Sequence, residues 1–569
     1  MRTTLGFALA VLLAAGFAWS LGAGNPALAQ EDVQKAAQFP EEHKDFLGGS
    51  SYRAYFGVDL STYRPTPPAG ALTGPPPQVG DNTQVNAPQF PFPDGLLGRS
   101  ETTIASDTSN RTLVVGWNDA DGFCGPPFNA GCTPAVPTGP GGSGFGFSTD
   151  GGASWTDGGA PFPVTTPGGT KITRGDPVLD SGGPGHNTFY YANLAVDITS
   201  TSPGLGGFVV HRGAFGQGLF TFDNAVFVAS PNAPNDFLDK EWLCAGKTGP
   251  YKDRVAVSVS NFIEVQGIPF FGFGQIEVYP SGDRASSFGP RTIVQPDETI
   301  SVPQNLGIVN QGSNCAYGPD GELYVVWERG WLYPFFGGFQ TPQIVVATSF
   351  DNGASFGPRT LVSDISSAAV FPPGGYNRNT TNDFPRICVA GKDDDPYRGR
   401  VYVVYQSSEI ANGGTQAQTG GLGHYDTDVY LRYSDDAGAT WSAPTLVAGG
   451  GDELLQFWPA VECNQSDGDV DVVWYQSEET ETPDFLDSNG TGESLVDVFH
   501  ARSTDGGASF SAPLRVTTFT TPWRATVSNI SPNFGDYIDL FVNSNRVHVT
   551  WADGRNGVPD VFYSTIKTK

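Results

Sequence analysis

The sequence predicts an all-β chain built as a ring of repeated sheets, and three observations carry that prediction. The segment Ser-Thr-Asp-Gly-Gly-Ala-Ser-Trp at 148–155 returns in altered form at 349–356, 434–441 and 503–510, each time as Ser-x-Asp-x-Gly-x-x-Trp/Phe. Each copy ends a run of alternating apolar residues, the period of a half-buried strand. Beyond the first 29 residues no long stretch places apolar residues at helical spacing, while 74 Gly and 45 Pro in 569 residues supply the turns that many short strands need. Copies of one strand-rich unit in series are expected to stack and share a continuous core.

Taken in chain order, 1–29 reads as a signal peptide: Arg2 gives the positive end, 7–18 the apolar core, and Ala27-Leu28-Ala29 the small-residue cleavage site. The mature chain is expected to start at Gln30, with no Cys behind the cleavage site to accept a lipid. No later apolar run reaches the roughly 20 residues of a spanning helix, so a secreted or periplasmic product without a membrane partner is expected. Residues 30–95 are rich in Pro and polar residues and read as a linker or surface wrap; 96–569 is the repeat domain.

Seven stretches of that domain share one plan, a short apolar strand, a β-branched or aromatic second strand, and a third strand. The second strands are Thr112-Leu-Val-Val-Gly-Trp117, Asn187-Thr-Phe-Tyr-Tyr-Ala192, Arg254-Val-Ala-Val-Ser-Val259, Glu322-Leu-Tyr-Val-Val-Trp327, Arg400-Val-Tyr-Val-Val-Tyr405, Asp471-Val-Val-Trp-Tyr475 and Arg546-Val-His-Val-Thr-Trp551. The motif spacing agrees: Asp150 to Asp351 covers three repeats, and Asp351 to Asp436 and Asp436 to Asp505 are single steps. Ser281-Gly-Asp-Arg-Ala-Ser-Ser-Phe288 is a copy without its Gly, and the second repeat keeps only a remnant at 211–220. The seventh stops after Asp560-Val-Phe-Tyr-Ser564, so chain upstream of Glu101 is expected to supply its outer strand.

The motif explains itself as a turn: Ser and Asp cap backbone N–H groups, Gly accepts positive φ, and the aromatic anchors the returning strand. It is identified as the Asp-box, or bacterial neuraminidase repeat, and the chain resembles the sialidase-like β-propellers that carry it. The resemblance implies a propeller whose Asp-boxes lie away from the active centre. Seven repeats predict seven blades of four-stranded antiparallel sheet; six, the number in the sialidases it resembles, is the alternative.

Net charge is −28, from 59 acidic and 31 basic residues, with no Lys/Arg cluster, which excludes nucleic acid as a partner. The same charge disfavours a strongly anionic polysaccharide. The six cysteines of an exported chain can pair in 15 ways. Cys244, Cys315, Cys388 and Cys463 fall near one place in the first strands of repeats three to six, which are neighbours around a ring. Cys244 with Cys315 and Cys388 with Cys463 are therefore expected as staples between repeats, leaving Cys124 with Cys132 to close a loop. Their spacing matches no zinc site.

Function is expected at the central funnel, where the first strands begin. Ser100-Glu-Thr-Thr, Arg174-Gly-Asp-Pro, Leu238-Asp-Lys-Glu, Asn310-Gln-Gly-Ser, Asn382-Asp-Phe-Pro-Arg386, Leu455-Gln-Phe-Trp and Phe534-Gly-Asp-Tyr537 align at that rim. Close carboxylates there push one another's pKa values apart, the raw material of glycoside hydrolysis. Sialidases, which the chain resembles, hold a substrate carboxylate with three arginines, attack with a Tyr activated by a Glu, and protonate with an Asp. From the rim alignment Glu101, Asp383, Asp536 and Tyr537 are the catalytic candidates and Arg174, Asp176, Asp239, Lys240 and Arg386 the substrate-binding ones; the resemblance adds Arg524, as a third member of an arginine cluster with Arg174 and Arg386, and the role of nucleophile for Tyr537. The family's first arginine motif, Arg-Ile-Pro, does not occur, and Phe384-Pro-Arg386-Ile stands in repeat five in another order.

The expected activity is thus hydrolysis of a terminal sugar from a carbohydrate, with no cofactor and no resident metal. The rivals are a non-catalytic glycan- or protein-binding propeller and a polysaccharide lyase using Tyr or one of His186, His424 and His500. Asp393-Asp-Asp395 and Asp467-Gly-Asp-Val-Asp471 look like Ca²⁺ ligands without completing an EF-hand spacing. Asn110-Arg-Thr, Asn379-Thr-Thr and Asn489-Gly-Thr match glycosylation acceptors, and Trp331, Tyr333, Phe335 and Phe336 form an aromatic loop suited to a sugar ring or a sheet edge. The sugar, the linkage and the oligomeric state are not encoded in any motif.

Overall fold

The computed structural model describes residues 79–89, 97–107, 109–120, 141–183, 187–197, 207–231, 236–265, 268–296, 298–299, 307–331, 342–366, 374–378, 381–408, 427–450, 454–477, 494–528 and 530–568. Among them strands dominate, and the two helical pieces, Gly249–Tyr251 and Trp523–Ala525, are single 3₁₀ turns. All seven second strands form, and each runs on past its predicted end, as Leu113–Asp119 or Val470–Ser477. Signal peptide, Cys124, Cys132, His186, His424, Asn379, Asn489 and the aromatic loop at 333–336 lie outside the described residues.

Five sheets each carry one four-stranded antiparallel blade. Repeat one is ordered Arg99–Ser106, Leu113–Asp119, Ser143–Ser148, Thr156–Gly159, and repeats three and four follow the same order. Repeat two replaces the Ser-x-Asp turn with a tight hairpin, Phe208–Gly216 to Leu219–Ala229, turning at Gln217 and Gly218, both at positive φ. The last blade is Asp539–Asn543, Arg546–Asp553 and Asp560–Lys567, completed by Thr83–Gln84 from the N-terminal side. The expected closing strand therefore exists, and it comes from within the stretch read as a linker. The sixth sheet has nine strands: Arg386–Val389 to Thr445–Ala448 joins Leu455–Cys463 to Leu514–Arg515 through one parallel pairing, Thr427 with Leu455.

The first strands meet side by side. Arg99–Ser106 touches Val178–Ser181 on one flank and Asp539–Asn543 on the other, so first and last repeats close a ring. Apolar cores lie between successive sheets and are filled by the second strands, where Trp117, Trp327, Trp474 and Trp551 are wholly buried. The Ser-x-Asp turns behave as their chemistry requires. In the first, the Asp150 carboxylate accepts from the Ser154 N–H at 2.9 Å, while Ser148 Oγ accepts from the Gly152 N–H at 2.9 Å. Asp351, Asp436 and Asp505 repeat these bonds, and Asp283 does so with Ala285 standing where the others have Gly. Disulfides join Cys244 to Cys315 and Cys388 to Cys463, the two staples expected between neighbouring repeats.

Candidate functional site

The first strands share a local irregularity at their rim ends. The ladder slips between Ser100 and Thr103, Asp239 and Trp242, Gln311 and Asn314, and Phe457 and Ala460. At or beside these bulges Glu101, Lys240 and Trp458 adopt the left-handed conformation, at φ 51°, 51° and 49°, as does Asp176 at 51° in repeat two. Non-glycine residues rarely hold it, because the side chain crowds its own backbone. The bulge re-aims the side chain from the strand face toward the axis, and this is how rim residues of distant repeats come to meet.

Lys240 is the hub. Its ammonium lies 3.2 Å from Glu101 Oε1, 2.9 Å from Asp176 Oδ2 and 2.7 Å from Asp536 Oδ2. The four side chains are buried, Lys240 the most exposed at 7 %. Gly535 permits the approach, since a Cβ there would stand 2.4 Å from the Glu101 amide nitrogen. Burial works against the Lys240 charge, but Asp176, Asp536 and Glu101 outweigh it and hold the pKa well above that of a free lysine. Burial, reinforced by Asp176, pushes Glu101 well up. For Asp536 burial is overcome by Arg378 and Lys240, and its carboxylate stays ionised below the usual range. Asp239, next along the chain, is pushed up to about 7 by burial, partly offset by Lys240.

A segment from the connection into repeat five crosses this cluster. Arg378 Nη1 reaches both Asp536 oxygens at 3.2 and 3.0 Å, and the Tyr376 hydroxyl donates to Asp536 Oδ1 at 2.9 Å. Asn377 donates to the Ile530 carbonyl and accepts from the Asn533 N–H, tying the strap 374–378 to the seventh repeat. Beneath the cluster Trp242, Arg386 and Tyr537 fill the bore. The Arg386 guanidinium stacks 3.4 Å above the Trp242 ring and 5.0 Å from that of Tyr537.

Glu101, Asp176, Lys240 and Asp536 thus converge as expected, with Asp239 in their field. The remaining candidates stand elsewhere. Asp383 is buried and accepts from Gln406 Nε2 at 2.9 Å, beside Glu328, whose carboxyl is raised by burial and by Asp383. The Tyr537 hydroxyl donates to the Pro177 carbonyl at 2.9 Å, and burial followed by Glu101 raises its pKa, so no carboxylate activates it as a nucleophile. Arg524 donates to Ser494 Oγ beside the strap, and Arg174 is buried with its pKa lowered to about 9 by desolvation. Arg174, Arg386 and Arg524, the three arginines among the substrate-binding candidates, therefore occupy three different settings.

Sequence reasoning passed over Glu241, Arg378 and Tyr376. Glu241 was in plain view beside Lys240; it is buried, neither oxygen accepts a hydrogen bond from another residue, and burial raises its pKa. Arg378 and Tyr376 sit in a connection that has no counterpart in other repeats, so no period marks them. His500 bonds Asp471 within its blade, together with Arg502. Asp393 pairs with Arg398 and Asp469 with Arg502, so these acids of the Ca²⁺-like runs already have partners, and among the described residues no three His, Cys, Asp or Glu side chains are grouped to hold a metal. Asn110 donates its amide to the Asn543 carbonyl, which leaves it poorly placed as a glycan acceptor.

Sheets closed in a ring around an axis lined by first strands define the chain as an all-β propeller. Its structure is similar to an α-L-arabinanase of Penicillium chrysogenum solved with arabinobiose, at 16 % identity over 70 % of this chain and 94 % of that one, with a TM-score of 0.39. It is also similar to the Hadza microbial sialidase Hz136, at 12 % identity over 74 % and 73 % with a TM-score of 0.37. A third is the Trypanosoma rangeli sialidase with the inhibitor DANA, at 10 % over 71 % and 58 %, with a TM-score of 0.36. No protein-family model matches the sequence, and no curated protein matches it. No helix among the described residues is long and apolar enough to cross a membrane.

Proposed function

We propose that this chain is a secreted seven-bladed propeller that acts on a carbohydrate at the mouth of its axis, as a glycoside hydrolase of terminal sugars. The blade count takes the nine-stranded sheet as two blades, since one parallel pairing alone joins its two antiparallel halves. The observation that carries the activity is a pair of rim carboxyls with opposed protonation: Asp239 at about 7 and Asp536 held ionised below the usual range. Two such groups divide the labour of the reaction, one as the acid that protonates the leaving oxygen and one as the base or nucleophile. In this reading Asp239 is the acid, Asp536 the anionic partner, and Arg378 and Lys240 hold that anion. A sugar reaches Asp536 when the strap 374–378 is displaced.

A second reading, a non-catalytic binding propeller, is favoured by the saturation of Lys240, whose three ion pairs, with the strap above them, leave the cluster internally paired and covered. The purified protein assayed on chromogenic glycosides, a sialoside among them, with and without Ca²⁺, separates the two. Turnover that falls by about a hundredfold or more in Asp239→Asn establishes the hydrolase. Silence across the panel from folded protein establishes the binding propeller.

A further inference from the structure

Below the Trp242–Arg386–Tyr537 layer the axis opens into a chamber of about 100 Å³, lined by residues of several first strands, among them Asn314, Arg386, Glu462 and Asp539. Arg386 is 6 % exposed, yet its guanidinium makes no hydrogen bond and no ion pair. The five N–H donors of that guanidinium have no protein acceptor, and the group lines the chamber, so a ligand entering it can take them. Stacking on Trp242 satisfies one face of the cation but none of its in-plane donors.

The rest of the chamber does not fill the gap. Lys247 is already paired with Asp180 and donates to the Ser181 carbonyl at 2.5 Å. The Asn314 side-chain oxygen is taken by the Ile387 N–H at 3.1 Å. Asp539 Oδ2 accepts from Thr103 Oγ1 at 3.0 Å and from the Ile104 N–H at 3.1 Å. The Glu462 side chain makes no hydrogen bond or ion pair, and burial pushes its pKa up to about 8. At neutral pH the chamber is faced by the guanidinium, a mostly protonated Glu462 and a mostly ionised Asp539 whose charge acts on Arg386; near pH 5.5 Asp539 too is largely protonated, which leaves the guanidinium as the charged group.

We propose that this chamber binds a small monovalent anion, of halide or carboxylate size, on the in-plane donors of Arg386. The site is separate from the Lys240 cluster and does not rest on the hydrolase reading. Asp539, at about 6, and Glu462 are the titratable groups facing the anion, with Asp180 neutralised by Lys247. Occupancy therefore falls as pH rises and both acids ionise.

Bromide is the probe. Crystals of the wild-type protein soaked in sodium bromide at pH 5.5 are expected to show an anomalous peak within about 4 Å of the Arg386 guanidinium. In solution, bromide at ten times its dissociation constant raises Tm by about 1–2 °C over sodium gluconate of equal ionic strength. That shift shrinks at pH 8.5 and vanishes in Arg386→Met. Ordered water alone at the guanidinium, or a crystal peak with no bromide-specific Tm shift and hence an adventitious ion only, overturns the proposal. The wild-type measurements stand even if the variant folds poorly.

Discussion

At the scale of the residue, Lys240 decides the character of the rim. One ammonium within contact of three buried carboxylates is stable only as an ensemble, because removing it leaves like charges facing each other away from water. Lys240→Met is expected to lower stability by about 3–5 kcal/mol, read by urea denaturation, whereas the same change at exposed Lys567 leaves it within about 0.5 kcal/mol. The Asp239 assignment has a kinetic signature. A general acid works in its protonated form, so kcat should decline as pH rises through about 7. Asp536, ionised below the usual range, contributes no acid limb down to about pH 4. A flat profile from pH 5 to 8 in an active preparation would remove Asp239 from that role.

At the scale of the element, the Ser-x-Asp turns need a left-handed residue in the fifth position, met by Gly152, Gly353, Gly438 and Gly507 and by Ala285 in the worn copy. The first of these is also sterically pinned, for a Cβ on Gly152 would stand 2.0 Å from the Tyr563 ring. Gly152→Ala is therefore expected to cost about 2–3 kcal/mol by thermal or chemical denaturation. Ala285→Gly should change stability by less than about 1 kcal/mol, since relief of positive φ is offset by a lost buried methyl. Repeat two shows that the turn motif is dispensable to a blade: the Gln217-Gly218 hairpin joins the same two strands without a Ser or an Asp.

At the scale of the whole molecule, the disulfides and the buried acids set the response to conditions. Each staple closes a separation of 71 or 75 residues, so breaking one with Cys388→Ser and Cys463→Ser should cost about 4 kcal/mol in a chain-entropy account, read from denaturation midpoints. Buried Asp239 and half-buried Asp539 and Glu462 have folded pKa values of about 7, 6 and 8, raised above those of the unfolded chain. Between the unfolded value near 4 and these folded values the native state holds more protons, so stability falls as pH rises across that window. Tm is expected to decline from about pH 5 to 8, and Glu462→Gln to flatten the upper part of the slope. The turn aspartates act oppositely: Asp351, held low by the Ser355 hydroxyl and amide, contributes above pH 4 and loses that contribution on acidification.

The repeat, the strands, the turn motif and the pairing of four cysteines were all legible from the chain, because each is a local pattern or a matter of equivalent positions in successive units. Glu101, Asp176, Asp239, Lys240 and Asp536 were legible as rim residues for the same reason. Which of them touch was not. Lys240 and Glu101 meet across 139 positions of sequence, and Tyr376 reaches Asp536 across 160, through a strap that breaks the period. Tyr537 reads as a nucleophile in sequence, and its hydroxyl donates to the Pro177 carbonyl, one hydrogen bond between the last repeat and the second that no local pattern marks. The sequence by itself determined the unit and its repetition. Only the closed ring decided the partners at the axis, since burial and neighbouring charge, which set every protonation state there, belong to the assembled fold and to no single segment.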